Sequence, residues 1–224
     1  ALEGNHRISV LYQKEVTPKG TSFTIRKFKQ DPYSVIDLIS FGTISVDIAA
    51  YLWMLMEAKM SIMVIGSTGS GKTTILNAIT GLVNPDYKIF SVEDVAEINI
   101  KHENWFSLVA RTGFGPSGEG EIGLYDLIKS GVRHRPDYIV VVEIRGAEAY
   151  VMFQAMATGH GGLCTMHADS LESAGKRLQQ KPMDIPPSYL SLMNCAIVIK
   201  RVKGQDGKSI RKAISVQEIN TADS

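Results

Sequence analysis

Gly66-Ser67-Thr68-Gly69-Ser70-Gly71-Lys72-Thr73 fits the pattern G-x-x-x-x-G-K-[ST]. An apolar run, Ile62-Met63-Val64-Ile65, precedes it and a helix-like stretch, Thr74-Ile75-Leu76-Asn77-Ala78-Ile79, follows. Strand, glycine-rich turn and helix are the setting in which this pattern binds phosphate. The glycines let the backbone curl so that successive N–H groups and the helix N-terminus point at an anion. Lys72 then reaches the β- and γ-phosphates of a nucleotide, and the Thr73 hydroxyl is placed to hold Mg²⁺. Gly66, Ser67, Thr68, Gly69, Ser70, Gly71, Lys72, Thr73 and Thr74 are therefore the candidate nucleotide-binding residues.

The rest of the composition bounds the partners. A chain of 224 residues has room for one sizeable core, or for a core and part of a second domain. Apolar residues at 44% and charged residues at 21% describe an ordinary globular chain. The formal net charge of +1 supplies no global field that would draw it to nucleic acid or an anionic membrane, so only local patches can do so. Cys164 and Cys195 cannot furnish a four-thiolate zinc site, and each sits in an apolar stretch, where a buried small hydrophobe is expected. No apolar run reaches the roughly 20 residues of a membrane helix, and the first residues do not form a signal peptide. A cytoplasmic location is the expectation.

Before the loop, residues 7–12 and 22–28 read as strands joined by the turn-prone Pro18-Lys19-Gly20. Two strands cannot bury a core, so residues 1–30 are expected to be part of a larger N-terminal domain. Asp31-Pro32 and Gly42 punctuate residues 31–43, read as a linker with a short helix near Val35 to Ile39. From Ser45, a plausible N-cap, to Lys59 the apolar positions Ile48, Leu52, Leu55 and Met56 keep helical spacing. The Met and Trp content of that helix, Trp53 included, is expected to pack in the core.

After the loop, the β-rich runs 88–92, 138–142 and 163–166 alternate with helical segments. That pattern is the signature of an α/β fold with a mostly parallel sheet covered on both faces. The unbroken apolarity of Ile139 to Val142 marks a central strand, and residues 196–200 and 213–216 around Gly204 to Gly207 read as a hairpin.

Phosphoryl transfer asks for positioned charge, Mg²⁺ and an oriented nucleophile. Carboxylates at the C-terminal ends of parallel strands face the ligand crevice of such a sheet, which singles out Glu93 and Glu143 to orient water and metal. Asp94 and Glu97 follow Glu93, where acidic residues also serve as helix caps. His167 is delivered by a buried strand beside the loop. His6, His102 and His134 carry the ordinary expectation of a solvated or hydrogen-bonded histidine.

Four blocks occur in order: the Walker A loop; the acidic stretch Ser91-Val92-Glu93-Asp94-Val95-Ala96-Glu97; the Walker B region from Arg135 to Gly146; and the segment from Gln154 to Ala168 containing His160 and His167. Together they resemble the secretion ATPase superfamily, the motors of type II and type IV secretion, type IV pili and the archaellum. The acidic stretch is similar to its Asp box and the last segment to its His box. Thr24-Ile25-Arg26-Lys27 resembles the end of its N-terminal domain. Glu103-Asn104-Trp105 and Arg133-His134-Arg135-Pro136-Asp137 resemble the archaeal branch.

The resemblance implies a RecA-like P-loop ATPase core over residues 44–224, preceded by the C-terminal part of a smaller α+β N-terminal domain. It implies ATP and Mg²⁺ as ligands, with metal contacts from Thr73 and Glu143, water positioned by Glu143 and Glu93, and a γ-phosphate contact from His167. Arg26 and Arg7 are similar to arginines that the N-terminal domain swings onto the terminal phosphate. A homohexamer is implied, held by a membrane-embedded platform protein at the cytoplasmic face of a membrane, with no nucleic acid partner. Two other readings stand beside it: a nucleic-acid-translocating motor on a related fold, and an ATP-binding assembly protein with negligible turnover. The second draws on Val142, where the superfamily usually has glycine before the Walker B glutamate. A β-branched residue there either crowds the strand beside the nucleotide or packs in the core.

Overall fold

A computed structural model of the chain describes residues 6–13, 17–27, 31–113, 119–204 and 207–219. It divides into two units, Ala1–Pro32 and Tyr33–Ser224.

In the first unit, β1 (Arg7–Leu11) pairs antiparallel with β2 (Ser22–Arg26), and the register sets Arg7 directly opposite Arg26. Ile8, Val10, Phe23 and Ile25 are exposed, as two strands alone have no face to bury. Of the expected second strand, Phe28 lies outside the described residues.

The second unit is built on a seven-stranded sheet. Its strands are β3 (Ile62–Ile65), β4 (Ile89–Glu93), β5 (Trp105–Val109), β6 (Tyr138–Val141), β7 (Gly161–Met166), β8 (Cys195–Lys203) and β9 (Ser209–Glu218). Their order is β5-β4-β6-β7-β3-β8-β9; every pairing is parallel except β8 with β9.

Alternation along the central strands feeds two cores. Ile62, Val64, Ile89, Tyr138, Val140, Leu163 and Ile197 face the layer of α1 (Val35–Ser40), α2 (Val46–Glu57) and α3 (Lys72–Thr80). Met63, Ile65, Val92, Ile139, Val141, Cys164 and Met166 face α4 (Leu124–Val132), α5 (Glu148–Ala157) and α6 (Leu171–Gln179). Burial on both faces is why these strands read as continuous apolar runs. Among the described residues no helix is long and apolar enough to cross a membrane.

Ser45 caps α2, its side chain accepting from the Ile48 N–H. Leu52 and Met56 are fully buried, but Trp53 and Met54 are 56% and 63% exposed. Their expected core packing is corrected here: at about 100° per residue, both turn away from the stripe that Leu52 and Met56 define. The stretch expected as a linker, 31–43, contains α1, and Val35 and Leu38 are buried against the α3 side of the sheet. A capping box between Ser34 and Asp37 starts that helix.

Candidate functional site

The four parallel strands β3, β4, β6 and β7 end at one edge, and the phosphate loop leaves β3 there. Its first residue is tied to the neighbouring strand, the Gly66 N–H donating to the Met166 carbonyl at 3.2 Å. Gly66 admits no side chain: a Cβ would stand 2.5 Å from the Ile199 carbonyl and 2.6 Å from Ser70 Oγ. Gly71 holds φ at 102°, a conformation open to glycine, and no side chain caps the first turn of α3. The N–H groups at that helix start are thus left to a ligand. Ser70 Oγ is buried and has no partner.

Lys72 lies at the start of α3 with Nζ 3.1 Å from the Ser67 carbonyl, folded across the mouth of the loop. Burial pulls its pKa below the ordinary lysine value, while the nearby charges of Glu143 and Glu97 push the other way. Glu143 and Glu97, from two other segments, are thus near enough to Lys72 for their charges to bear on it.

Glu93 ends β4 on the same side as Ile89, the side of α3. It is 1% exposed; Oε2 accepts from the Glu97 and Ile98 N–H groups at 2.6 and 2.8 Å, and Oε1 has no partner. The loop that follows is docked on α3 by the Asn99 N–H, which donates to Asn77 Oδ1 at 3.2 Å. Glu143 is exposed, two residues beyond the end of β6. Its loop is fixed on both sides: Thr165 Oγ1 donates to the Val142 carbonyl, the Ile144 N–H donates to the Thr165 carbonyl, and Glu148 Oε1 accepts from Arg145 and Gly146 at 2.7 Å each. Arg145 pairs with Asp94, tying the two acidic segments together. Val142 packs against the α3-side core.

His167 is exposed and follows the end of β7, adjacent to the residue that bonds Gly66. His160 sits at the opposite end of the same strand, its Nδ1 3.0 Å from the Ala155 carbonyl. Asp137 also lies at that far edge, bonded to Lys59 at 2.9 Å. His102 contacts the Asn84 carbonyl and His134 stacks near Phe90 at 5.3 Å, both local structural roles. Arg7 and Arg26 belong to the first unit and face each other across its hairpin.

Sequence reading missed a cleft of about 220 Å³ beside Gly71 and Thr74, walled by Tyr33, Phe41, Ile199, Ile210 and Arg211. Its walls come from segments more than a hundred residues apart, so no local pattern announces it.

The orphaned oxygens of Ser70 and Glu93 are, among the described residues, the two buried side-chain polar atoms without a partner. A buried polar atom without a partner calls for an explanation, and a bound ion or ligand is one kind. Among the described residues, no three His, Cys, Asp or Glu side chains gather as a metal cage. A Mg²⁺ ion would lean on Thr73, a carboxylate and the phosphates themselves, its usual manner of binding.

The burial of Glu93 pushes its carboxyl above the ordinary value, against the two N–H bonds that favour the anion. With the folded value above the unfolded one, the folded chain keeps a proton in the interval between them, so stability falls as pH rises through it. Thermal melts from about pH 4 to about pH 8 should show this fall in the wild type and a flatter profile in Glu93→Gln. Coincident profiles would mean that the carboxyl titrates as if solvated.

The profile of the family described as "Type II/IV secretion system protein" matches residues 6–204. The protein MJ0900 of Methanocaldococcus jannaschii is 46% identical over 218 residues, which cover 97% of this chain and 39% of that protein. Thus the chain spans well under half the length of that relative. The VirB11 ATPase of the Brucella suis type IV secretion system, solved in complex with sulphate, superposes with a TM-score of 0.63 at 24% identity, over 97% of this chain and 72% of the other. The pilus retraction motor PilT, solved with bound ADP, gives a TM-score of 0.69 at 19% identity, over 98% and 65%. These likenesses show the fold: an α/β core with a mostly parallel sheet, RecA-like in its arrangement.

Proposed function

Because the chain belongs to the type II/IV secretion system protein family, we propose that it is the ATPase motor of such a machine, hydrolysing MgATP in a homohexameric ring at the cytoplasmic face of a membrane. The work drives secretion, pilus or archaellum assembly through a membrane-embedded platform protein. The observation that carries the reading is the glycine-rich loop that ends in an uncapped helix N-terminus with Lys72 folded across it, at the sheet edge where the buried Glu93 keeps an unclaimed oxygen.

In this reading the loop N–H groups and the start of α3 hold the phosphates, and Lys72 leaves the Ser67 carbonyl for the β- and γ-phosphates. Thr73 and Glu143 would hold Mg²⁺, which when bound would neutralise charge developing on the phosphate oxygens. Glu143 orients the attacking water, Glu93 supports it from the buried side, and His167 contacts the γ-phosphate region. Arg26 and Arg7 complete the charge around the terminal phosphate when the N-terminal unit closes, so that closure and hydrolysis are coupled.

Phosphate release from MgATP tests the activity. A site that needs a mobile arginine gains from oligomer formation, so specific activity should rise with protein concentration. Light scattering should show larger species with a non-hydrolysable ATP analogue. Arg26→Ala should lower turnover and ATP affinity while sparing ADP affinity, since ADP lacks the phosphate that the arginine meets. Constant specific activity from a monomer at every concentration would refute the ring, and equal losses for ADP and ATP would remove Arg26 from the site.

A further inference from the structure

Between Ile199 and Ala213 the sequence carries six basic residues, Lys200, Arg201, Lys203, Lys208, Arg211 and Lys212, against one acid, Asp206. The antiparallel register of β8 and β9 sets Lys200 opposite Lys212 and Arg201 opposite Arg211. Like charges directly opposite each other destabilise an antiparallel pair. A chain that keeps them at one spot has, in the simplest case, an anion that offsets them there.

Only one of these pairs faces the phosphate loop. Ile199 and Arg201 share a face of β8, and Ile199 lies on the loop: its side chain comes within 3.0 Å of where a Gly66 Cβ would stand and 3.4 Å of a Gly71 Cβ. Arg211, opposite Arg201, is closer still. Its Cδ is 2.8 Å from the position of a Gly71 Cβ, and its Nε donates to the Gly69 carbonyl at 3.3 Å. An exposed arginine on an edge strand thus lays its stem on a glycine that cannot carry a side chain without striking it.

The same arginine borders the cleft beside Gly71 and Thr74. At about 220 Å³ the cleft is smaller than the roughly 300–1,000 Å³ of sites that enclose a whole small molecule, so it suits one end of a ligand. Tyr33 and Phe41 meet edge to face across it at 5.2 Å, and Ile199 and Ile210 add apolar wall, surfaces that suit a flat, weakly polar group. The wall is held together by the Ala213 N–H, which donates to the Thr43 carbonyl at 2.9 Å. A nucleoside there, with its phosphates running into the loop, puts the phosphate nearest the ribose beside Gly71 and hence beside Arg211. A guanidinium suits a phosphate better than a backbone carbonyl, because its donors form a charged fork.

We propose that Arg211 is a further nucleotide-binding residue, contributed by the C-terminal hairpin, which leaves the Gly69 carbonyl to contact the phosphate nearest the ribose. This rests on the nucleotide-binding reading of the loop. It differs from the role of Arg26 in one measurable respect: a contact to the first phosphate serves ADP and ATP alike.

Calorimetric titration of the wild type, Arg211→Ala and Arg211→Lys with ADP and with a non-hydrolysable ATP analogue tests it, alongside thermal melts without nucleotide. Arg211→Ala should lose about tenfold in affinity for both ligands, the scale of a charge-assisted hydrogen bond, and Arg211→Lys should recover part of it. The nucleotide-free melting temperature of Arg211→Ala should be unchanged or higher, because a like-charge pair has been relieved. A lower melting temperature accompanying the affinity loss would make Arg211 a structural strap and overturn the proposal. So would affinities within twofold of wild type, or a loss confined to the ATP analogue. Failure of the wild type itself to bind ADP would overturn the nucleotide reading, and Arg211's role with it.

Discussion

Lys72→Ala should abolish ATP hydrolysis and weaken MgATP binding by roughly a hundredfold, near the upper end of what one charged hydrogen-bonding group contributes. The loop offers the phosphates many N–H dipoles but one full charge, and Lys72 carries it. The fold should survive the change. Burial already pulls the ammonium's pKa down, so its charge is held in the loop at a cost, and alanine relieves that cost. Phosphate release and calorimetry on a variant whose melting temperature matches the wild type will separate a lost site from a lost fold. Retained turnover would remove the loop from the reaction.

Glu143→Gln is the second large effect. The side chain is exposed at the mouth of the loop, on a segment braced by Thr165 and Glu148, so the substitution removes charge without disturbing a core. Nucleotide affinity should persist while turnover falls by at least about a hundredfold, the scale of losing a group that positions or deprotonates water. Single-turnover phosphate release distinguishes the two carboxylates. If Glu93→Gln stops the reaction and Glu143→Gln leaves it running, their roles are reversed.

What the sequence made legible follows from how each element is held. The phosphate loop, Glu93 and Glu143 were readable because strand ends are fixed by short apolar runs, and a strand end in a parallel sheet has a defined place. β7 was read from residue 163, yet it begins at Gly161, since glycine carries no strand preference and pairing with Tyr138 decides the matter. β5 escaped notice as a strand altogether. It is an edge, with Phe106 and Val109 exposed, and exists by pairing with β4, helped by the stack of Phe106 on Phe90 at 5.1 Å. Residues 31–43 read as a linker because proline and glycine punctuate them; the short helix expected within them is there as α1, whereas the burial of Val35 and Leu38 depends on a sheet formed later in the chain. Arg211 was least legible of all: its contact with Gly69 spans 142 residues, and a basic hairpin by itself looks merely solvated.

Cys164 on the central strand β7 and Cys195 at the start of β8 are fully buried, one on each face of the sheet. Burial pushes both thiols up, Cys195 to about 11, and the thiolate is the form that reacts with maleimides and iodoacetamides. The chain is thus its own cysteine-free background for site-specific labelling. A single cysteine placed on the exposed part of β9 can carry a fluorophore while both native thiols stay in place, without the repacking that their replacement would force on two cores. Movement of the hairpin against the loop can then be followed by energy transfer to a nucleotide analogue in real time, in the native sheet.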